Sequence, residues 1–389
     1  SEEGLTIINY FQAADILALG TSAQSKEFLS NIKQGYQKIR DEGNMLPELP
    51  KQFEPTRKAF DRDFGLVLGT EAQLVCNEID RMNVVIPRFD IDFLLVLEDF
   101  TPQARARVAA SEIMGVESGV ILHGFLPKIW HSRYKPPTGT YNFVWGPGYA
   151  ERFASEGFPQ ERVLSTGITS ADIIFAKPSE EEIDRVKGIL GIPEGKKLVL
   201  WATQPAHLNF SSKSMKTFEE DIKEIYHLMK DRKEVLVVKT HPIDPIEHYL
   251  ELSEEVGFKP IITKAHLPVL IHLCDVLIAD SSTIGLQGLV KNKPFILLTT
   301  QTIKDISGYA EAGMAEVVSD IKDLAKALDK VLYGGPDTHP KEKDVERFLD
   351  MYATNRDGSA MKVLLRMIAE LIEKKNTKAE ISDGAKKDA

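Results

Sequence analysis

Cysteine is nearly missing from this chain: Cys76 and Cys274 are the only two in 389 residues, far apart and without a Cys-x-x-Cys pair. That pattern argues against a disulfide framework or a cysteine-based zinc site and fits a reducing compartment. Long apolar runs are missing as well; none reaches the ~18 residues that a bilayer crossing takes. Near the start, the stretch 7–19 is interrupted by Asn9, Gln12 and Asp15 and has no basic flank, so it does not read as a secretory signal. A cytoplasmic location is expected, with at most peripheral contact with a membrane. Positive charge is in deficit, 48 Lys and Arg against 58 Asp and Glu, a net charge of −10. Non-specific nucleic-acid binding is therefore disfavoured.

Several familiar signatures are also lacking. There is no Walker A loop, no Gly-x-Gly-x-x-Gly after a strand, no Gly-x-Ser-x-Gly elbow and no His-Glu-x-x-His pair. His131, His227, His248, His266, His272 and His339 form no metal-ligand spacing. Neither a metal nor a resident cofactor is expected.

What is present is the texture of a large globular α/β protein. Hydrophobic residues make up 43%, and the length suits two domains of about 150–200 residues. Residues 1–60 read as a polar helical segment, with Phe28, Ile32, Tyr36 and Ile39 at helical spacing before Pro47, Pro50 and Pro55. Short apolar runs then alternate with amphipathic helices. The runs at 65–68, 84–86, 93–97, 119–122, 142–145 and 162–164 belong to a first domain, 61–170, although 84–86 and 93–97 need not both be strands. Those at 198–202, 235–239, 260–262, 276–279, 295–298 and 316–318 belong to a second domain, 171–335. Alternating strands and helices specify parallel sheets covered on both faces, and continuously apolar strands are what such sheets bury. Helices over 336–373 and a disordered, lysine-rich and acidic tail over 374–389 complete the expected order.

Four strand ends carry candidate chemistry. Val276 to Ala279 runs into the polar turn Asp280-Ser281-Ser282-Thr283, which opens a helix. Such a turn presents N–H groups and hydroxyls where the helix dipole favours an anion, though Asp, Ser and Thr are also ordinary capping residues. Val235 to Val238 ends in Lys239, His241 and Pro242 at the sheet edge where open α/β folds bind ligands. Lysine and histidine there suit a diphosphate, by charge and by hydrogen bond. In the first half Val120 to Leu122 leads to His123-Gly124, with Lys128 five residues on; the imidazole suits a general base, and the glycine a close backbone approach. Leu198 to Ala202 leads to Thr203 and Gln204, which suit a phosphate or a base. Gly146 and Gly148 follow a further strand near the expected interface, and a tight turn accounts for Gly148. The acidic residues Asp90, Asp92, Glu98 and Asp99 read as a solvated loop rather than as a glycosidase pair.

Taken in order, these pieces resemble the GT-B glycosyltransferase superfamily. The similar arm holds the CDP-glycerol glycerophosphotransferases, the polysialyl- and capsule-polysaccharide transferases and UDP-N-acetylglucosamine 2-epimerase-like proteins. The matching residues are His123-Gly124 with Lys128, Trp145-Gly146-Pro147, Thr166-Gly167, Thr203-Gln204-Pro205, Lys239-Thr240-His241-Pro242, Asp280-Ser281-Ser282-Thr283 and Asp357-Gly358. The resemblance implies two Rossmann-like domains facing a cleft, without a bound metal. It implies a UDP-, CDP- or CMP-linked donor, with His241 and Ser281–Thr283 on the donor phosphates and His123 as base toward an acceptor glycan, polyol or lipid-linked intermediate. Gln287 stands where many relatives have a glutamate that contacts the donor ribose. The expected activity is transfer of a glycosyl or glycerophosphoryl group from the nucleotide donor to an acceptor hydroxyl in surface polysaccharide or glycoconjugate biosynthesis. Two alternatives stay open: a 2-epimerase, which the missing Glu-Ala-Gly after His123 disfavours, and a non-catalytic binding protein.

Overall fold

The computed structural model describes residues 5–8, 21–41, 65–125, 138–155, 157–175, 177–204, 215–299, 305 and 307–387. Two all-parallel sheets organise it. The first joins β1 (Phe93–Val96), β2 (Glu117–Ile121), β3 (Tyr141–Val144) and β4 (Val163–Ser165) in that spatial order. The second holds β5 (Leu198–Ala202), β6 (Val235–Lys239), β7 (Ile261–Thr263), β8 (Val276–Ala279), β9 (Phe295–Leu298) and β10 (Glu316–Val318), in the order β10-β9-β8-β5-β6-β7. That order reverses between β5 and β8, which is the switch point of a doubly wound fold. All four residues of β8 and of β9, and all five of β5, are buried, as the unbroken apolar runs predict.

Two of the expected strands are helical. Residues 65–68 enter a π turn, Val67–Glu71, and 84–86 lie inside the helix Ala72–Phe89. Cys76, Met82, Val85 and Ile86 of that helix are buried, a helical spacing that a three-residue window cannot reveal. The preceding helix, Ala23–Asp41, buries Leu29 while Phe28 stands exposed. Asp80 reaches across to its start, accepting hydrogen bonds from the Ser22 N–H and from the Ser22 and Ser25 hydroxyls at 2.8–2.9 Å. At the other end, the helix Ala360–Lys387 runs through residues assigned above to a disordered tail. The lysines, alanines and glutamates there are good helix formers continuing a helix already packed, and Lys375 Nζ donates to the Gly115 carbonyl at 2.6 Å. Among the described residues no helix is long and apolar enough to cross a membrane, and both cysteines are buried and free.

The end of the chain folds back over the first sheet. Leu364 and Ile368 share a buried cluster with Ile121 and Phe143. Asp172, in the stretch between the sheets, accepts from the Ala360 and Met361 N–H groups and so caps that last helix. Just before it, Thr354 donates its N–H and hydroxyl to the Trp145 carbonyl at 2.8 and 2.9 Å, and Asn355 Nδ2 donates to the Thr166 carbonyl at 3.0 Å. Glycines make this crossing possible. A Cβ on Gly146 would lie 2.5 Å from the Met351 carbonyl oxygen, and one on Gly167, at φ +88°, would collide with that of Thr354. Gly148 meets the Tyr352 ring in the same way. A single apolar cluster then links Leu122, Phe125 and Trp145 to Leu200 and Leu277 of the second sheet, to Leu286 of the helix Thr283–Val290, and to Phe348 and Leu349.

Gly167→Ala should cost about 3 kcal/mol or more, combining backbone strain with a backbone clash. Gly157→Ala, with the same φ and nothing within 4 Å of the new Cβ, should cost only about 1 kcal/mol. Urea unfolding midpoints of the two variants measure the difference.

Candidate active site

Strand register assembles the site. Ala202 pairs with Lys239 on one side and with Ala279 on the other. Residues Thr203, Thr240 and Asp280 therefore leave the sheet side by side at its carboxyl edge, at the switch point. Gln204 follows Thr203 there, half-buried.

The β6 end is a built turn. The Asp244 N–H bonds the His241 carbonyl at 3.0 Å, with Pro242 at the second position of the turn, where its fixed φ fits. The Thr203 hydroxyl accepts the His241 N–H at 3.1 Å, and His241 Nδ1 accepts the Ile243 N–H at 3.3 Å. Nδ1 is thus an acceptor, which places the proton of the neutral ring on Nε2. Thr203 accordingly positions the histidine. Lys239 is half-buried and donates to the Thr240 carbonyl at 3.0 Å. Burial, and then the neighbouring Lys264, hold its ammonium below the ordinary lysine range.

The β8 end differs in kind. Ser282 is the N-cap residue of the helix Thr283–Val290, with extended backbone but no capping hydrogen bond from its side chain. The plain N-cap role foreseen as an alternative for this turn is thus not what the Ser282 hydroxyl performs. Ser282 Oγ, Gln287 Oε1, Asp280 Oδ1 and the neighbouring Thr240 Oγ1 are all buried and have no hydrogen-bond partner among the described residues. An unsatisfied buried polar atom costs about 1–3 kcal/mol, so three of them at the carboxyl edge of the sheet and a fourth on the helix that the β8 turn opens mark a polar cradle. Ser281 is different, because its hydroxyl donates to Asp305 at 2.7 Å and accepts the Ser307 N–H at 3.0 Å. Sequence reading missed Asp305; its signal is an Asp-x-Ser-Gly turn just past a buried strand, at the same sheet edge.

The first sheet meets this turn directly. Its own carboxyl edge carries His123, Gly124 and Phe125, and the Phe125 N–H donates to the Thr283 hydroxyl at 3.2 Å. A Cβ on Gly124 would sit 3.8 Å from that hydroxyl. His123 itself is exposed, edge-on to Phe100 with ring centroids 5.5 Å apart. Together with Glu98, Leu122 and Gly124 these residues line a pocket. Glu98 and Asp99 are engaged in loop structure: Glu98 accepts from the Phe100 and Thr101 N–H groups, and Asp99 from Thr138. Phe125 is packed among Trp145, Tyr149, Tyr309, Phe348 and Tyr352. Gly146 lies under the crossing chain at Met351. Lys128 and Pro205 lie outside the described residues. Among the described residues no three His, Cys, Asp or Glu side chains are grouped to hold a metal ion.

Burial, with Asp221 second, pushes the Asp280 carboxyl up to about 7. The native state therefore holds its proton where the unfolded chain, with an ordinary carboxyl near 4, has lost it. The contribution of this group to stability should fall as pH rises from about 4 to about 7, by up to about 1.4 kcal/mol per pH unit. Asp280→Asn should remove that fall, so variant and wild type should diverge in urea unfolding between pH 4.5 and pH 7.5.

Comparison with known proteins agrees with this architecture. S. aureus MnaA, in a co-structure with UDP, superposes with a TM-score of 0.57 at 18% identity, over 78% of this chain and 82% of that one. UDP-GlcNAc 2-epimerase from Neisseria meningitidis, bound to UDP-GlcNAc, superposes with a TM-score of 0.53 at 18% identity, over 76% of this chain and 81% of that one. The wall teichoic acid polymerase TagF matches with a TM-score of 0.47 at 20% identity, over 68% and 69% of the two chains. No curated protein matches the chain. The fold is of the GT-B type, two Rossmann-like domains facing a cleft. The family model of CDP-glycerol:poly(glycerophosphate) glycerophosphotransferases matches residues 138–370, more than half of the sequence, and the chain belongs to that family.

Proposed function

We propose that this enzyme transfers a glycerophosphoryl group, or a closely related alcohol phosphate, from a CDP-linked donor to an acceptor hydroxyl during synthesis of a cell-surface polymer. The observation that carries the reading is the cradle of buried atoms on Thr240, Asp280, Ser282 and Gln287 that lack a partner among the described residues, beside the half-buried Lys239 and His241. Family membership supplies the donor class.

In this scheme the diphosphate lies against the N-terminus of the helix Thr283–Val290, where the dipole and N–H groups favour an anion. Lys239 and His241 offset the charge that builds on the leaving phosphate. Thr203, Gln204 and Gln287 serve the nucleoside side, and Gln287 can donate as well as accept. His123 takes the proton of the acceptor hydroxyl. The freed oxygen attacks the distal phosphorus, the bond from that phosphorus to the bridging oxygen breaks, CMP leaves, and a phosphodiester forms. The acceptor would be the hydroxyl of a glycan, polyol or lipid-linked intermediate. Epimerisation at a sugar carbon would instead need groups that remove and return a carbon-bound proton. Phe125 stands after His123-Gly124, its ring committed to the aromatic core, and the nearby Glu98 and Asp99 are engaged in their loop.

With CDP-glycerol and a glycerophosphate-primed acceptor, CMP release should depend on the acceptor. His241→Ala should lower kcat by about 10²–10³-fold, as loss of one leaving-group contact does, with the circular-dichroism spectrum unchanged. UDP-GlcNAc alone should yield no epimer. Wild-type CMP release at the blank rate, or full activity in His241→Ala, would refute the scheme.

A further inference from the structure

Behind the β8 turn lies a second layer that the reaction scheme does not use. Asp305 follows β9, the neighbour of β8, and its carboxylate gathers five hydrogen bonds. One oxygen accepts from the Ser281 hydroxyl at 2.7 Å, the Ser307 N–H and hydroxyl at 3.0 Å and the Gly308 N–H at 2.9 Å; the other accepts from the Ala310 N–H at 2.7 Å. The Ser281 and Ser307 hydroxyls are also in direct contact. The carboxylate thereby caps a helical turn closed by Ala312 N–H to the Gly308 carbonyl and Met314 N–H to the Tyr309 carbonyl. That turn aims Tyr309, fully buried, at the Ser282 carbonyl, to which its hydroxyl donates at 2.8 Å. The Tyr309 ring rests on Phe125, Phe295 and Phe348.

The geometry of a peptide bond gives this contact its consequence. The unit joining Ser282 to Thr283 is planar, with its carbonyl and N–H pointing in opposite directions. A phenol that holds the carbonyl therefore fixes the direction of the Thr283 N–H, the first donor of the helix N-terminus. Asp305 fixes the preceding residue through its hydroxyl. Two groups from one loop thus hold the Ser281 side chain and the Ser282–Thr283 peptide unit of the turn that would face an anion. A preset donor array avoids the ordering cost that a loose turn would pay on binding.

We propose that Asp305 and Tyr309 are positioning residues for the nucleotide donor, orienting the Ser281–Thr283 turn from behind without touching the ligand. The proposal rests on the reading that this turn binds the donor diphosphate. Its chemistry is neutral toward which alcohol the donor carries, so CDP itself is the probe.

Tyr309→Phe keeps the ring and its packing and removes only the hydrogen bond. It should weaken CDP binding by calorimetry about tenfold, the size of one buried hydrogen bond, and raise the donor KM while leaving the acceptor KM in place. Asp305→Ala should weaken CDP further. Asp305→Asn should recover part of the loss, because an amide oxygen can still accept at the more crowded position. A purely structural role would lower the unfolding midpoint and leave the donor KM alone. Hydrogen exchange of residues 281–285 gives a readout without ligand, and it should quicken in Tyr309→Phe and Asp305→Ala. CDP affinities within twofold of wild type for both variants would overturn the proposal. If the wild type binds no CDP, the donor reading fails by itself, and unchanged exchange at 281–285 would then overturn the positioning role separately.

Discussion

The pairing of Ala202 with Lys239 on one side and Ala279 on the other is the constraint from which the site follows. A parallel sheet brings residues that are 37 and 77 positions from Ala202 to one height, and the reversal of strand order there leaves a crevice unfilled by any crossover helix. Once the strands are in register, a polar residue immediately past each one is delivered to the same edge. A slip of one residue would turn each of these side chains to the opposite face. The buried apolar residues of β5, β6 and β8 forbid that slip, so the core that stabilises the sheet also aligns the chemistry.

The first sheet reaches this edge by packing rather than by pairing. Phe125 lies between the two halves with its ring among aromatic residues from both and its N–H on Thr283. Edge-to-face and offset contacts of this kind fix orientation as well as burial. His123, two residues before, is thereby tied to the turn of the other domain through the hydrogen bond that the Phe125 N–H donates to the Thr283 hydroxyl. The arrangement explains why a phenylalanine suits a position where an isomerase of similar architecture would be expected to place a carboxylate. Here the side chain is needed to join the domains.

Much of this was legible in the sequence. The second sheet was plain because its strands are buried on both faces and read as unbroken apolar runs, and the polar residues just past them marked its edge. The first domain was harder. Residues 84–86 look like a strand in a short window and prove helical only when Cys76 and Met82 are seen on the same face. The extension of the last helix past Lys374 was hidden by composition, since charge-rich sequence suits a tail and a helix alike. Asp305 and Tyr309 escaped notice because their partners, Ser281 and Ser282, are more than twenty residues away. Their role is a matter of hydrogen-bond direction, which no spacing rule encodes. Gly146 and Gly167 were visible as a motif, but the reason for glycine is the passage of Met351 and Thr354, about two hundred residues later in the chain.

That passage bears on how the molecule is made. Thr354 bonds Trp145 across 209 positions of sequence, and Leu364 and Ile368 cover Ile121 and Phe143. On the ribosome, the first sheet emerges long before the residues that seal its face. Contacts of such separation slow folding, and an unsealed apolar surface invites association meanwhile. The apolar face of the first sheet therefore stays uncovered until the helix Ala360–Lys387 has been made, and its maturation is timed by the arrival of that helix.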